Sequence, residues 1–375
     1  MLKTFTSSKA SSRESAKVEE KPVARVKRWA LPRLFDVTLW QEQMLAAAAV
    51  GLALIVSAVP ILIAGKNPLV AYWALVRGAF GSIDSIAFAL NKSTPYILAG
   101  VGVAMCFRAK IINIGSEGQI AVGGIAASWV ALNCSALPSF VVVPGALLAG
   151  AIAGALWSAI AGVMRLKRGV HEVLGTLMLN FIGLLTVSEM LRGPMGEPGA
   201  GFPQSPLFAD NTWLPGLFPG IDMHPGILFA IGAAIVCFLL LWYTPFGFRL
   251  RLLGASTSAA AYSGVSFART VMEVMLLAGG LAGLAGAIEV LGVHYRLIEG
   301  FSQGFGFNAV AVALLARLSP LAVLTAGLFF AFLEAGALAM QREVGVPSSL
   351  VYIIQGLTII FVLCALGIGT RKQRT

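Results

Sequence analysis

Long apolar runs separated by short polar or Pro/Gly-rich breaks dominate the chain from residue 43 to residue 368. A hydrocarbon core of about 30 Å takes roughly 20 apolar residues per helix, and only helices or closed barrels satisfy every backbone group there. The runs have helical length and predict spans at approximately 43–64, 83–107, 113–134, 139–163, 172–191, 225–243, 271–293, 304–317, 319–340 and 349–368. The eighth is short and opens on Gly304 and Gly306. It therefore either enters only partway or joins the ninth across Ser319-Pro320, where the residue before proline resists helix. The pattern thus predicts an all-α integral membrane protein, a polytopic bundle of about ten transmembrane helices over residues 43–370. Residues 1–42 read as a cytoplasmic, disordered N-terminal tail with Pro22 and Pro32 as breakers, and 371–375 as a cytoplasmic C-terminal tail.

Composition agrees with this reading: the chain is 58% hydrophobic and only 12% charged, against about 25% charged in soluble domains. Disordered, coiled-coil, collagenous and disulfide-rich classes drop out together. The net charge of +10 could suggest nucleic acid, but the positive residues lie at the ends and in short loops between apolar runs. With both termini cytoplasmic, 21 of the 27 Lys and Arg fall inside. The outside set is Lys66, Arg77, Lys92, Arg192, Arg296 and Arg342, and an inside excess is the sign expected of a spanning protein. Cys106, Cys134, Cys237 and Cys364 show no C-x-x-C spacing and read as small hydrophobes.

Two loops stand apart. Residues 192–224 form a Pro-, Gly- and aromatic-rich extracytoplasmic stretch that could meet a soluble partner. The cytoplasmic stretch 244–270 predicts a short helix at Ser256 to Ser263, bracketed by Gly254 and Gly264. Gly150/Gly154 and Gly279/Gly283 followed by Gly286 have the spacing that lets helix backbones approach closely in lipid.

Catalytic patterns are sparse. No phosphate-cradling loop is present, since Gly65-Lys66 is followed by Asn67, so any ATP is hydrolysed on another chain. The histidines 171, 224 and 294 lack helical metal-ligand spacing, which argues against a metal site. Gly300-Phe301-Ser302-Gln303-Gly304 matches G-x-S-x-G, but a nucleophile elbow needs a strand before the serine, and here a helix leaving the bilayer precedes it.

Polar residues inside apolar runs are more informative, because a mid-bilayer charge costs about 2.5–3.5 kcal/mol on insertion scales. Glu117, Gln119, Asn180, Glu289, Asn308 and Glu334 qualify, while Glu189 lies near a helix end. The patch Asn113 to Gln119 can break a helix and turn backbone groups toward a polar cavity. Phe305 and Phe307 offer aromatic faces beside Asn308, suited to stacking a nucleobase or sugar ring. For each amide, interhelical hydrogen bonding is an equal alternative to pore lining.

Four blocks in order resemble one family. Phe107-Arg108-Ala109-Lys110-Ile111-Ile112-Asn113-Ile114-Gly115-Ser116-Glu117-Gly118-Gln119 is similar to the hallmark stretch of bacterial ATP-binding-cassette import permeases of the ribose/branched-chain amino acid class. Glu172-Val173-Leu174-Gly175-Thr176-Leu177-Met178-Leu179-Asn180 resembles the nucleoside and simple-sugar branch. Thr244 to Arg251 with Gly254 and Ala259 to Gly264 is similar to the cytoplasmic coupling segment, and Gly304 to Leu315 to the stretch before the penultimate helices. The chain departs from the pattern at Ser116 in place of Ala, His171 in place of Asn, and Asn308-Ala309 in place of Asp-Gly.

The resemblance implies a type II importer permease fold in the bacterial inner membrane and transport by alternating access, most favourably of nucleosides, then simple sugars or branched-chain amino acids. The implied partners are a cytoplasmic ATPase holding ATP and Mg, a second permease subunit and an extracytoplasmic substrate-binding protein, besides membrane lipid; no cofactor is implied on this chain, which is read as non-enzymatic. Glu117, Gln119, Asn180, Phe305, Phe307 and Asn308 become the expected substrate pathway. Arg249, Arg251, Gly254, Ala259, Ala260 and Gly264 become the expected coupling contact, with the two arginines paired to acidic groups of the ATPase. A proton-coupled secondary transporter using Glu117, Glu289 or Glu334 is the rival reading, ahead of a hydrolase built on Ser302 and of a passive channel.

Overall fold

The computed structural model describes residues 37–347 and, beyond them, 350, 352–358, 360, 361 and 364. Most of the expected N-terminal tail, part of the tenth expected span and the C-terminal tail 371–375 lie outside the described residues.

Capping chemistry sets many of the helix starts. In order come α1 (Val37–Ile63), α2 (Pro68–Phe80), α3 (Ile83–Arg108), α4 (Ser116–Asn133), α5 (Ser139–Arg168) and α6 (Glu172–Arg192). After the long loop follow α7 (Gly226–Tyr243), α8 (Pro245–Ala255), α9 (Thr257–Tyr262), α10 (Phe267–Glu289), α11 (Phe305–Leu315) and α12 (Pro320–Val344). Asn67, Ser82, Thr244, Ser256 and Ser266 each accept a backbone N–H from the first turn of the helix they precede. His171 does the same for α6 through Nδ1, 3.4 Å from Val173 N, so the departure from asparagine keeps an acceptor at the cap.

Five of these helices, α5, α6, α7, α10 with its continuation to His294, and α12, are long and apolar enough to cross a membrane; α1 and α2, bent by 119°, add a sixth if they form one broken span. α2 falls where the hydropathy pattern predicts only a connection. Its 13 residues reach about 20 Å, too short for a span, although Asn67-Pro68 is a good cap followed by proline at the first helical position. α11 has 11 residues and reaches about 16 Å, so it stops inside the thickness of a bilayer. Arg317 and Leu318, both at positive φ, then turn the chain into α12.

α4, α5 and α10 form the tightest packing. A Cβ added to Gly283 would sit 2.2 Å from the Gly150 carbonyl oxygen and 2.9 Å from Gly154 Cα, and one on Gly154 would sit 2.4 Å from the Gly279 oxygen. The small-residue spacing in the sequence therefore does set backbone contact. α3 runs through the middle, buried from Asn91 to Cys106 without a break. Leu148, Ile152 and Leu156 on α5 and Leu174, Phe181 and Leu185 on α6 are exposed. Such apolar belts are a liability in water and the expected surface in lipid.

The loop 193–225 lies against the bundle rather than standing free. Ser205 N donates to Leu297 O, Phe208 N to Tyr295 O and Leu214 N to Leu291 O, and the Trp213 and Tyr295 rings lie 4.4 Å apart. It covers the π-helical turn Val290–His294 that ends α10.

Candidate functional site

The expected pathway residues separate into a structural seam and a cavity. α4 and α11 meet at their N-termini, where an added Cβ on Gly306 would lie 2.1 Å from Glu117 N. Glu117, 2% exposed, accepts from Ser302 Oγ at 2.6 Å, Gly304 N at 3.1 Å and Gly306 N at 2.7 Å. A carboxylate thus caps the otherwise unpaired amides at the head of the half-length helix α11. Ser302 is 1% exposed and donates to that carboxylate, which gives the G-x-S-x-G match a packing role.

Asn180 serves the backbone. Its Oδ1 accepts from Gly118 N and its Nδ2 donates to Ile114 O, both at 2.8 Å. Thr176 Oγ1 meanwhile lies 3.3 Å from Ile114 N and donates to Glu172 O. α6 thereby satisfies the non-helical stretch before α4. Asn113, Glu117, Gln119 and Asn180 are buried within the protein, with Asn180 on α6 and the turn before α11 satisfying the groups around Glu117 and Gly118. Gln119 Nε2 is 3.3 Å from Asn113 Oδ1, while Gln119 Oε1 and Asn113 Nδ2 have no hydrogen-bond partner.

Asn308 does face a cavity, of about 290 Å³, lined in part by Tyr96, Gln303, Asn308, Glu334, Tyr352 and Gln355. Asn308 Nδ2 lies 3.4 Å from the Tyr96 hydroxyl, which in turn donates to Glu334 Oε2. The stacking role expected of two phenylalanines does not match the geometry. Phe305 is fully buried, held edge-on to Tyr96 at 5.0 Å, and Phe307 is 39% exposed and outside the cavity lining.

Lys92 needs the largest revision, since it counted among the outer loop charges and instead lies in α3 with 4% exposure. Its Nζ donates to Gln303 Oε1 at 2.9 Å, lies 3.5 Å from Glu289 Oε1 and sits over the Phe305 ring at 4.9 Å. His294 Nε2 approaches the same Glu289 oxygen at 3.5 Å. The polar run Asn91-Lys92-Ser93-Thr94 inside an apolar stretch was the available signal for this cluster, and Tyr96 follows it.

At the end of the bundle carrying α8 and α9, Arg249 is engaged within the chain. Its Nη2 lies 2.9 Å from Glu273 Oε2, and Arg269 Nε lies 2.8 Å from Glu273 Oε1. Arg251 lies over the Trp242 ring at 4.6 Å. Within the chain, the acid that Arg249 meets is Glu273 on α10. Gly254 packs against α3, since a Cβ there would lie 1.9 Å from Arg108 O. Ala260 is buried and Ala259 is exposed, Tyr262 is 96% exposed, and Gly264 ends the segment at φ +76° in open space.

The family described as "Branched-chain amino acid transport system / permease component" matches residues 85–363. The chain belongs to that family. This permease is 37% identical to the glucose ABC transporter permease protein TsgB13 of Haloferax volcanii, over 83% of this chain and 84% of that one. It is 36% identical to the guanosine ABC transporter permease protein NupP of Bacillus subtilis, over 84% and 91%. It is also 30% identical to the nucleoside ABC transporter permease protein NupB of Lactococcus lactis, over 84% and 88%. No solved structure matches the chain. As a permease component it is a transport subunit of an ABC importer, a multi-pass inner-membrane protein and not an enzyme, whose ATPase is a separate subunit.

Proposed function

We propose that this permease carries nucleosides through the membrane by alternating access, driven by ATP and Mg bound on a cytoplasmic ATPase and supplied by an extracytoplasmic binding protein. A second permease subunit completes the pathway, lipid surrounds the pair, and about ten spans leave both termini of this chain cytoplasmic. Moving Lys92 into the bundle leaves the inside excess of Lys and Arg intact.

The cavity bounded by Tyr96, Gln303, Asn308, Glu334, Tyr352 and Gln355 carries this reading. Amide side chains offer a donor and an acceptor each, and tyrosines add hydroxyls on apolar rings, which suits a neutral, hydroxyl-bearing heterocycle. Asn308 is the expected pathway residue that contacts it. Glu117, Gln119, Asn180 and Phe305 act through the shape of the pathway wall, and Phe307 faces outward. For coupling, the exposed face of α9, with Ala259, Tyr262 and Gly264 held in place by Gly254 and Ala260, seats in a groove of the ATPase. Arg251 lies beside it and Arg249 fixes α8 to α10.

Uptake of labelled guanosine by proteoliposomes holding the whole complex tests the reading. ATP-dependent uptake that survives collapse of the proton gradient is expected, and uptake that follows the proton gradient without ATP overturns it. Glucose is the second reading, favoured by the 37% identical glucose permease, and glucose-only uptake in the same vesicles would select it.

A further inference from the structure

Glu334 carries an unexplained acceptor. It sits on α12 at the cavity wall, and among the described residues the Tyr96 hydroxyl is its one hydrogen-bond donor. A carboxyl group presents several lone pairs on its two oxygens, so acceptor capacity is left for something inside the cavity. Asn308 Nδ2 donating to Tyr96, and Tyr96 donating to Glu334, fix the direction of this short chain and hold the carboxylate in one orientation. The Tyr96 ring is itself pinned between Phe305 and Phe330, with ring centroids 5.0 and 6.0 Å away.

The cavity lining contains no lysine or arginine among the described residues. Lys92 is tied to the lining residue Gln303 and to Glu289 and covers the buried Phe305 ring. The lining is therefore one carboxyl group among neutral amides, phenols and the apolar Leu338, with Lys92 held behind Gln303, a setting that suits hydroxyl donors.

We propose that this cavity holds a subsite in the permease itself for the vicinal diol of an unphosphorylated sugar ring, with Glu334 accepting from the two hydroxyls. Two adjacent O–H groups match the two oxygens of a carboxylate, the same chemistry by which an acidic side chain reads a ribose hydroxyl in dinucleotide-binding folds. Tyr96 is a positioning residue that aims the carboxylate, while Gln341 and Gln355 offer paired donors and acceptors, and Gln303 its amide donors, to the remainder of the solute. The inference rests on the nucleoside reading and adds which part of the nucleoside this chain selects.

The test uses the assembled complex in proteoliposomes with the binding protein saturated, and compares ATP-driven transport rates of guanosine and 2′,3′-dideoxyguanosine. Because every variant meets the same binding protein, a change in the ratio of the two rates reports on the permease. The wild-type complex is expected to favour guanosine, and Glu334→Gln to narrow the ratio about tenfold, the scale of one charge-assisted hydrogen bond. Tyr96→Phe, which keeps the ring packing, narrows it by less. An unchanged ratio in both variants, with the complex assembled in normal amount, overturns the subsite alone. Failure of the wild-type complex to move guanosine overturns the nucleoside reading and the subsite with it.

Discussion

Glu117 Oε2 accepts the backbone N–H of Gly306 at 2.7 Å, so a carboxylate in the first turn of α4 closes the head of α11. The bond joins two helix N-termini that would otherwise leave several amides unpaired at membrane depth. α11 is a half-length helix entered through Gln303 and Gly304, both at positive φ, and Glu117 is what the turn folds around.

Replacing Glu117 by alanine strands the buried Ser302 hydroxyl and Gly306 amide and the half-buried Gly304 amide, and is expected to cost about 3 kcal/mol or more. Glutamine keeps one acceptor oxygen and should cost less. Thermal unfolding of the purified chain in detergent checks the order, wild type above glutamine above alanine. Equal stability of the alanine variant would show that the seam contributes nothing.

The contact of α5 with α10 makes a second prediction, this time with an internal control. Gly283→Ala must push a methyl group into backbone atoms of Gly150 and Gly154, and an overpacked helix interface loses about 1–3 kcal/mol. Gly232 in α7 has open space where its Cβ would go, so Gly232→Ala should be neutral or gain up to about 1 kcal/mol from helix propensity. Thermal stability of the two variants side by side decides the matter; similar losses in both would point to a general intolerance of glycine replacement.

On α9, neighbouring residues face opposite ways. Ala260 is fully buried while Tyr262 is 96% exposed. Ala260→Glu is expected to lower the yield of folded permease. Tyr262→Ala should leave stability unchanged and weaken retention of the ATPase about tenfold, as loss of an aromatic anchor does. Co-purification of the ATPase with each variant is the measurement, and full retention by Tyr262→Ala would remove α9 from the coupling contact.

Helix positions were legible where one physical rule dominated. Apolar length located α5, α6, α7 and α10, and small-residue spacing located the contact between α5 and α10. The breaks at residues 304–306 and 319–320 bracketed α11 as a short helix separate from α12. α2 escaped because a length criterion for spans ignores short helices, although its cap was present. The site was less legible, since polarity inside an apolar run marks a residue as significant without saying whether protein or solute satisfies it. Asn180 and Asn308 look alike in sequence, yet one holds the backbone of Ile114 and Gly118 and the other borders the cavity. Tyr96 and Lys92 acquire their roles only through partners more than 190 residues away.

His224 adds a pH dependence at the loop-covered end of the bundle. It precedes α7 and is 2% exposed, with Nδ1 accepting from Gly226 N at 3.0 Å and its backbone N–H held by Asn91 Oδ1 at 3.2 Å. Burial pushes the imidazole below its ordinary value, and the nearby carboxylates of Glu289 and Asp222 offset only part of that shift. The folded protein therefore prefers neutral His224, whereas the unfolded chain takes up a proton first as pH falls through about 6.5. This contribution to stability is complete above that value and is lost as pH drops through it toward the depressed folded value. His224→Asn keeps a side-chain acceptor for Gly226 N and removes the titration, so its melting temperature should fall less than that of the wild type between pH 8 and pH 5.5. Parallel curves for the two proteins would mean that His224 takes up its proton without opposing the fold, and that the packing of the imidazole against Gly292 yields readily to a charged ring.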